Sequence, residues 1–261
     1  MTARPNIIDV DFALQPEYVL GDTSPAIFGH GQAPGLCASF GDEAEVIPES
    51  EWQDIAAAIQ QRGTGNSALV TRIFNQKQEG SCVANATSQS NQIIQAQQFG
   101  KERVIQLSAI SLYKRIGRSP NSGAMVSDGL KEMSSRGILP LDTPENKARF
   151  KHTMPATGFY EEFPDGWEET AGMFKALEWI VIDRVEELVS ALLMRWPVVV
   201  GREGHSICYC DYLPDGRVKY ANSWGDWGEN GFGYDTIKKI KSSSRWAFAP
   251  RSVTVPTFQL A

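Results

Sequence analysis

The sequence predicts an α+β fold, with helices in the first half of the chain and strands in most of the second. Helical segments are predicted over 82–99 and 108–116, whereas short apolar and aromatic runs typical of strands follow residue 179. Ser50 and Ser127 are predicted as helix N-caps. Helices and strands do not alternate, so the pattern disfavours a parallel sheet built from βαβ units. With 261 residues, of which 42% are hydrophobic, the chain can bury a full core.

The pattern divides the chain into an arm and a body. Residues 1–47 contain recurrent Pro and Gly without a sustained period, which predicts an extended arm. The body is predicted to be mainly helical over 48–170 and mainly strands over 171–261. Within the helical part, the stretch 140–170 is rich in Pro and Gly and is predicted to be irregular.

Composition excludes several classes of partner. The net charge is −6 and no Lys/Arg cluster interrupts it, so nucleic acid is not expected to bind. The N-terminus lacks the apolar core of a signal peptide, and no apolar run is long enough to span a membrane. We therefore expect a cytoplasmic or otherwise unsecreted protein with no membrane partner. Association with a virion would also fit.

The four cysteines are too few and too oddly spaced for a disulfide framework, which favours a reducing compartment. Cys208 and Cys210 share one face of a predicted strand, and His205 lies on the other face. We interpret the two cysteines as buried strand residues, and Cys37 has no evident partner. No metal site and no cofactor are expected.

One stretch has the features of a catalytic nucleophile. A turn at Gly80-Ser81 delivers Cys82 to the start of the predicted helix 82–99. The unpaired N–H groups and positive dipole end of a helix favour a thiolate, which is the reactive form of cysteine. Gln76 lies just upstream, where its amide could donate to an oxyanion. Locally, a small buried residue is the commoner interpretation of such a cysteine, so the hypothesis requires a histidine elsewhere.

The second half of the chain offers that histidine. Of the three histidines, only His205 begins a predicted strand, directly after a tight turn that ends at Gly204. Asn222 ends the strand predicted to pair with it, and its side-chain amide can accept the imidazole N–H. Trp224 follows and can shield that hydrogen bond from water. Each feature also has a purely structural interpretation when it is considered alone. His205 could be a structural histidine, and the segment after Asn222 could be a structural loop rich in Gly and Trp.

Together these motifs resemble the papain family of cysteine peptidases over about residues 48–255. The order Gln, Cys, His, Asn and the Gln-to-Cys and His-to-Asn separations fit the family. The run that begins at Gly123 resembles its substrate-binding loop and third helix. The motifs are Asn75-Gln76…Gly80-Ser81-Cys82-x-Ala84, Gly204-His205 and Asn222-Ser223-Trp224-Gly225-x-Trp227-Gly228-Glu229-Asn230-Gly231.

The resemblance implies a papain-like two-lobe fold with the active-site cleft between the lobes. A helical left lobe would carry Cys82, and an antiparallel β-barrel-like right lobe would carry His205 and Asn222. It implies a thiol protease that hydrolyses an extended peptide or protein substrate. Cys82 would be the nucleophile, His205 the acid and base, Asn222 the residue that orients His205, and Gln76 an oxyanion donor. The substrate-binding residues would be Gly123, Gly204 and Trp224.

The sequence departs from the family pattern at four places. Val83 replaces the usual aromatic residue after the nucleophile. Glu79 replaces a cysteine, so the lobe disulfide is absent and a carboxylate that disfavours thiol ionisation lies nearby. Only residues 201–204 separate the preceding strand from His205, where the family has a long excursion. The usual inhibitory proregion is also missing, so the sequence predicts a divergent member of the family.

Two other functions stay open at this stage. The chain could use a papain-like scaffold as a non-catalytic binding, structural or assembly protein, for example in a phage or other particle. It could also be an acyl transferase, which uses the same thioester chemistry with an amine as acceptor. For residues 1–47 the open interpretations are an arm that covers the cleft, one that contacts a protein partner, or one that simply packs on the surface.

Overall fold

The structure, a computed structural model, describes Gly21, residues 38–202 and residues 204–256, with side chains of 243–246 excluded. Most of the predicted arm, residues 1–20 and 22–37, lies outside the described residues. The helices are α1 Phe40–Glu43, α2 Trp52–Arg62, α3 Cys82–Phe99, α4 Ala109–Ile116, α5 Val126–Ser135, α6 Pro144–Arg149, α7 Trp167–Ala171, α8 Val185–Leu193, α9 Trp227–Asn230 and α10 Ile237–Ser243. The strands are β1 Ala38–Ser39, β2 Ala176–Ile182, β3 Val198–Arg202, β4 His205–Tyr212, β5 Arg217–Ala221, β6 Phe232–Thr236 and β7 Ser244–Val253.

The strands form one mixed sheet in the order β1-β2-β7-β3-β4-β5-β6. The short β1 runs parallel to β2, and the other neighbouring strands are antiparallel. In the β4–β5 pair, Cys208 lies opposite Ala221. His205 begins β4 and Asn222 directly follows β5, so the register places both residues at the same end of the sheet.

Helix α3 is the centre of the molecule and is buried along 82–96. One hydrophobic core packs α3 against α4 and α5 and contacts the sheet through Val199 and Cys208. A second core lies between the other face of the sheet, α2 and α8, and contains Trp52 and Leu188. The central helix therefore lies where the helical and the strand-rich parts of the chain meet.

Amide side chains hydrogen-bond α3 to its surroundings. The Oε1 atoms of Gln92 and Gln95 accept the backbone N–H groups of Leu107 and Ile105, both at 2.9 Å. Gln97 Nε2 donates to the Arg195 carbonyl oxygen at 2.6 Å. A buried polar group is costly unless it has a hydrogen-bond partner. These bonds therefore offset part of the cost of burying a helix that is rich in glutamine and asparagine.

The structure confirms the predicted α+β order, with helices first and most strands later. The prediction of irregular chain over 140–170 is wrong at α6 and at α7, whereas residues 150–166 form no helix or strand, as predicted. Thr143 Oγ1 accepts the Asn146 N–H, and Pro144 occupies the first turn of α6. A threonine followed by a proline is a helix-start signal that the sequence interpretation missed.

The two predicted N-caps are also wrong. Ser50 lies inside a short 3₁₀ turn, and α2 begins only at Trp52. Ser127 lies inside the first turn of α5, which begins at Val126. In both cases the helix boundary differs by one or two residues from the predicted one. Among the described residues, none of the helices combines the length and apolar character needed to cross a membrane.

The amide bonds of α3 can be tested with Gln92→Met, which keeps the length of the side chain and removes its acceptor. The substitution leaves the N–H of the fully buried Leu107 without its acceptor. We expect the free energy of unfolding to fall by about 1–3 kcal/mol, as measured by urea denaturation. Gln53→Met on the exposed face of α2 is the matched control, expected to change stability by less than about 0.5 kcal/mol. Equal stabilities of the two variants would contradict this account of α3.

Candidate active site

Cys82 is the first residue of α3. Ser81 holds the N-cap position, and its side chain makes no capping hydrogen bond to the helix. The N–H groups of the first turn have no acceptor within the helix, and they form its positive end. The Cys82 side chain is fully buried, at 0% exposure. Cys82 therefore begins a helix, as the sequence predicts. Its complete burial was not predicted, and it limits the access of a substrate to the sulfur.

His205 and Asn222 form a hydrogen-bonded pair at the end of the sheet. His205 Nε2 lies 2.7 Å from Asn222 Oδ1, which also accepts the Ser223 N–H at 2.8 Å. Because Oδ1 is an acceptor, His205 Nε2 carries the hydrogen, so Nδ1 is the acceptor of a neutral ring. Asn222 thereby determines both the tautomer and the orientation of the imidazole.

Trp224 covers this pair. Its ring packs on the His205 ring with centroids 4.7 Å apart and an angle of 30° between the planes, and Trp224 is 1% exposed. Trp227 packs edge-on against Trp224 at 5.3 Å. The indole separates the His205–Asn222 hydrogen bond from water, and a dry surrounding strengthens such a bond.

The segment that precedes Cys82 is hydrogen-bonded to the segment that follows Asn222. The Gln76 N–H donates to the Ser223 carbonyl at 2.8 Å, and the Gly225 N–H donates to the Phe74 carbonyl at 3.0 Å. The Gln76 side chain is buried as well. Its Oε1 accepts the Ser223 hydroxyl at 2.6 Å, and its Nε2 donates to the Glu79 carbonyl at 2.8 Å.

These contacts join the segment that carries Gln76 and Cys82 to the segment that carries Asn222. We call the place where they meet the junction. A small cavity beside it is lined by Asn85 and Gln89 from the first turns of α3 and by Ser206 and Asn222 from the sheet. The N-terminal end of α3 therefore lies against the end of the sheet that carries the imidazole.

A buried charge cluster lies next to the histidine and was not found from the sequence. Arg202 is the cross-strand neighbour of His205, and its guanidinium forms an ion pair with Asp235. The Tyr209 hydroxyl donates to the same carboxylate at 2.6 Å. Arg202 and Asp235 are both fully buried. The only sequence signal is that each charge follows an apolar or aromatic run predicted as a strand.

The surroundings of His205 oppose its protonation. Burial lowers the pKa of His205 from 6.5 to about 4. The hydrogen bond to Asn222 opposes this shift, and the positive charge of Arg202 adds to it. Removing a charged group from water always favours its neutral form. In this buried state, His205 is therefore a neutral base.

Glu79 joins the segment before α3 to the loop at 158–159 through hydrogen bonds. Its Oε1 accepts the backbone N–H groups of Gly158 and Phe159, both at 2.9 Å. Bonds of this kind to a carboxylate are stronger than those between neutral groups. The carboxylate predicted to disfavour thiol ionisation is thus directed to backbone donors. An open groove of about 740 Å³ lies next to it, lined in part by Gly158, Phe159 and the exposed Tyr160.

Of the three predicted substrate-binding residues, Gly123 and Trp224 are buried and Gly204 is half-buried. Gly123 (φ +68°) follows the loop that ends α4, and its N–H donates to the Tyr113 hydroxyl at 3.1 Å. Gly204 (φ +77°) forms the tight turn before His205, where a left-handed conformation favours glycine. Trp224 is buried against the imidazole, as described above. The contacts of all three with a substrate stay predictions.

This arrangement is the papain-like two-lobe fold, in which a helical lobe and a strand-rich lobe meet at a cleft. Xylellain, a cysteine protease from Xylella fastidiosa, superimposes with a TM-score of 0.56 and 18% identity, covering 90% of this chain and 99% of that one. Digestive procathepsin L2 from the larval midgut of Tenebrio molitor gives a TM-score of 0.64 and 14% identity, covering 94% and 80%. Procathepsin L 3 of the same insect gives 0.60 and 16%, covering 85% and 76%.

These similarities to solved structures establish the fold of the chain. No protein-family model matches the sequence, and no curated protein matches it. The assignment of catalytic roles therefore depends on the chemistry of the residues themselves.

The buried charge cluster can be tested with Asp235→Asn. The substitution removes the charge that neutralises Arg202 in a fully buried site. We expect the free energy of unfolding to fall by about 3–5 kcal/mol in urea denaturation. The double variant Arg202→Met with Asp235→Leu removes both charges together and should be markedly more stable than the single one. A single variant as stable as the wild-type chain would contradict the description of a buried, paired Arg202.

The state of His205 can be tested through the pH dependence of stability. Between pH 6.5 and about 4 the unfolded chain binds a proton at His205 that the folded chain does not bind. The unfolding free energy should therefore decrease as the pH falls through this window, by up to about 3 kcal/mol. Urea denaturation of the wild-type chain and His205→Asn across the window measures the difference. A difference of opposite sign would show a protonated His205 paired with the Cys82 thiolate.

Proposed function

We propose that the protein is a cysteine peptidase that hydrolyses peptide bonds. The observation that carries the proposal is the His205–Asn222 hydrogen bond of 2.7 Å at the junction where Gln76 and the start of α3 also lie. A nucleophile beside a base that is itself oriented by a third group is the general signature of covalent catalysis. The fold shared with cysteine proteases supports the same function.

In the proposed first step, His205 Nδ1 accepts the thiol proton and the Cys82 sulfur attacks the carbonyl carbon of the scissile bond. The negative charge moves to the carbonyl oxygen, where the Cys82 N–H and the side-chain amide of Gln76 would stabilise it. The tetrahedral intermediate then collapses to a thioester. His205 gives its proton to the leaving amine, so the ring returns to the neutral form.

In the proposed second step, water replaces the amine. Neutral His205 removes a proton from the water as the water oxygen attacks the thioester carbon. The bond between that carbon and the Cys82 sulfur then breaks, which releases the carboxylic acid product. His205 returns its proton to the sulfur. Asn222 keeps Nε2 protonated throughout, so Nδ1 is available for each transfer. The substrate would be an extended peptide, held near Gly123 and Gly204, and no step requires a metal or cofactor. A cytoplasmic or otherwise unsecreted location is part of the same proposal.

A second candidate is a binding or assembly protein on the same scaffold. The observation that favours it is the complete burial of Cys82 and His205, both at 0% exposure. A site that never opens would keep the residues and perform no chemistry. In that case the wild-type chain would cleave no peptide, and the Cys82 thiol would resist small alkylating reagents in the folded state.

Acyl transfer uses the same intermediate and is separated from hydrolysis by the acceptor. Mass spectrometry of the products with and without an added primary amine distinguishes the two. Hydrolysis gives a free carboxylate in both cases, whereas acyl transfer gives an amide that contains the added amine.

The peptidase proposal is tested with Cys82→Ala and Gln76→Ala on a quenched fluorescent peptide library. Cys82→Ala should abolish cleavage because no thioester can form. Gln76→Ala removes one oxyanion donor and should lower kcat/KM by about 10²–10³-fold. Gln78→Ala, an exposed glutamine two residues away, is the matched control and should retain activity. Unchanged cleavage by Cys82→Ala would contradict the proposed mechanism.

A further inference from the structure

The small cavity beside the junction has room for one water molecule. Its lining comes from Phe74, from α3, from β4 and from residues 221–223, and every lining residue is buried. The space open to the centre of a water molecule is about 10 Å³. A volume on the order of 10–15 Å³, measured in this way, is needed to hold a single water. The size of the cavity therefore limits its ligand to a molecule as small as water.

Three of the lining side chains contain buried polar atoms that find no hydrogen-bond partner among the described residues. These atoms are Oε1 and Nε2 of Gln89, the hydroxyl oxygen of Ser206 and Nδ2 of Asn222. The three residues are 3%, 0% and 3% exposed. Polar groups that are removed from water are nearly always hydrogen-bonded, either to protein atoms or to ordered water. The partner of these three groups is therefore to be sought in the cavity itself.

The three polar groups approach the cavity from different elements. Gln89 is seven residues after Cys82, about two turns further along the same face of α3. Ser206 belongs to β4 and lies on the face that also carries Cys208, which packs in the core with α3. Asn222 directly follows β5. One molecule in the cavity can therefore contact groups from the helix and from two strands of the sheet.

The hydrogen-bonding capacity of these groups matches that of water. Nδ2 of Asn222 can only donate, the Ser206 hydroxyl can donate or accept, and the Gln89 amide offers both donors and an acceptor. A buried water typically makes about three hydrogen bonds. Its oxygen can accept an N–H of Asn222 while its hydrogens bond Gln89 Oε1 and the Ser206 oxygen. A metal cation does not fit, because the Asn222 N–H groups would oppose its charge.

The orientation of the Asn222 amide creates the need for this ligand. Its Oδ1 accepts hydrogen bonds from His205 Nε2 and from the Ser223 N–H. Rotation of the amide by half a turn would lose both bonds and place Nδ2 against two donors. Nδ2 must therefore stay on the side away from the imidazole, where it requires an acceptor. A water in the cavity supplies one, so that Oδ1 can serve His205 while the whole amide is buried.

We propose that this cavity is a binding site for one structural water molecule, which is hydrogen-bonded to Gln89, Ser206 and Nδ2 of Asn222. The water connects the middle of α3 to the end of the sheet that carries the imidazole. Gln89 and Ser206 have a role as ligands of this water, and neither contacts a substrate. The inference goes beyond the proposed function and does not depend on it, because a chain without peptidase activity would bind the same water.

A high-resolution crystal structure of the full-length wild-type chain tests the site directly. We expect one peak of electron density within about 2.7–3.2 Å of Nδ2 of Asn222, the Ser206 oxygen and one polar atom of Gln89. A cavity without such density would overturn the proposal. So would a direct hydrogen bond between Gln89 and Asn222, because the two side chains would then satisfy each other.

The melting temperature of Gln89→Met gives an independent test in solution. Methionine keeps the length of the side chain and removes both polar atoms. If Gln89 binds the water, the substitution weakens the partner of Asn222, and the melting temperature should fall by at least about 2 °C. If the Gln89 amide is buried without any ligand, its removal should raise the melting temperature, because a desolvated polar group is lost.

Gln53→Met on the exposed face of α2 is the matched control for this measurement. It makes the same chemical change in a position that is open to solvent, and its melting temperature should stay close to that of the wild-type chain. A Gln89→Met chain that melts at the temperature of this control, or above it, overturns the proposal.

Discussion

The burial of α3 is the constraint on which the rest of the structure depends. Fifteen consecutive residues of this helix, 82–96, are buried, and many of them are polar. Each polar side chain that is removed from water needs a partner inside the protein. Gln92 and Gln95 find theirs in the backbone of the segment before α4, and Gln97 finds one in the chain after α8. The helix is thereby fixed to both lobes through directional bonds, so the position of Cys82 at its start is also fixed.

Hydrogen bonds also fix the position of the His205–Asn222 pair relative to the start of α3. Phe74 and Gln76, just before the nucleophile, exchange backbone hydrogen bonds with Gly225 and Ser223, just after the orienting asparagine. Two segments that are about 150 residues apart in the chain thus form one short ladder. The residues proposed to act on a substrate are placed by backbone pairing and by helix burial. Solvent-exposed loops, which are generally more mobile, contribute little to their placement.

The α+β order and the elements that carry the candidate site residues were largely predictable from local signals, whereas the two-lobe fold was predicted from the resemblance of the combined motifs. Cys82 follows a turn and begins a helix, and the strands before and after the hairpin carry His205 and Asn222 at matching ends. The helix α6 was missed because the prolines of its region were interpreted as breakers, although Pro144 occupies a position where proline favours a helix start.

The electrostatic surroundings of the site could not be predicted from the sequence. Arg202 and Asp235 are more than thirty positions apart and belong to β3 and β6, so their ion pair forms only once the sheet is assembled. Likewise, the proximity of Gly21, Gly80 and Gly123 depends on how three distant positions of the chain pack. Sequence motifs identify the chemical groups, whereas tertiary packing determines their charge state and the space around them.

The bonds between Glu79 and the backbone of Gly158 and Phe159 have a consequence for the conditions under which the lobe stays intact. A cysteine nucleophile works only while its sulfur is reduced, and a thiol reductant that maintains it also cleaves accessible disulfides. A carboxylate bonded to two N–H groups does not react with such a reductant. The attachment of this loop to the start of α3 is therefore indifferent to redox potential, and the structural element and the proposed nucleophile can tolerate the same strongly reducing environment.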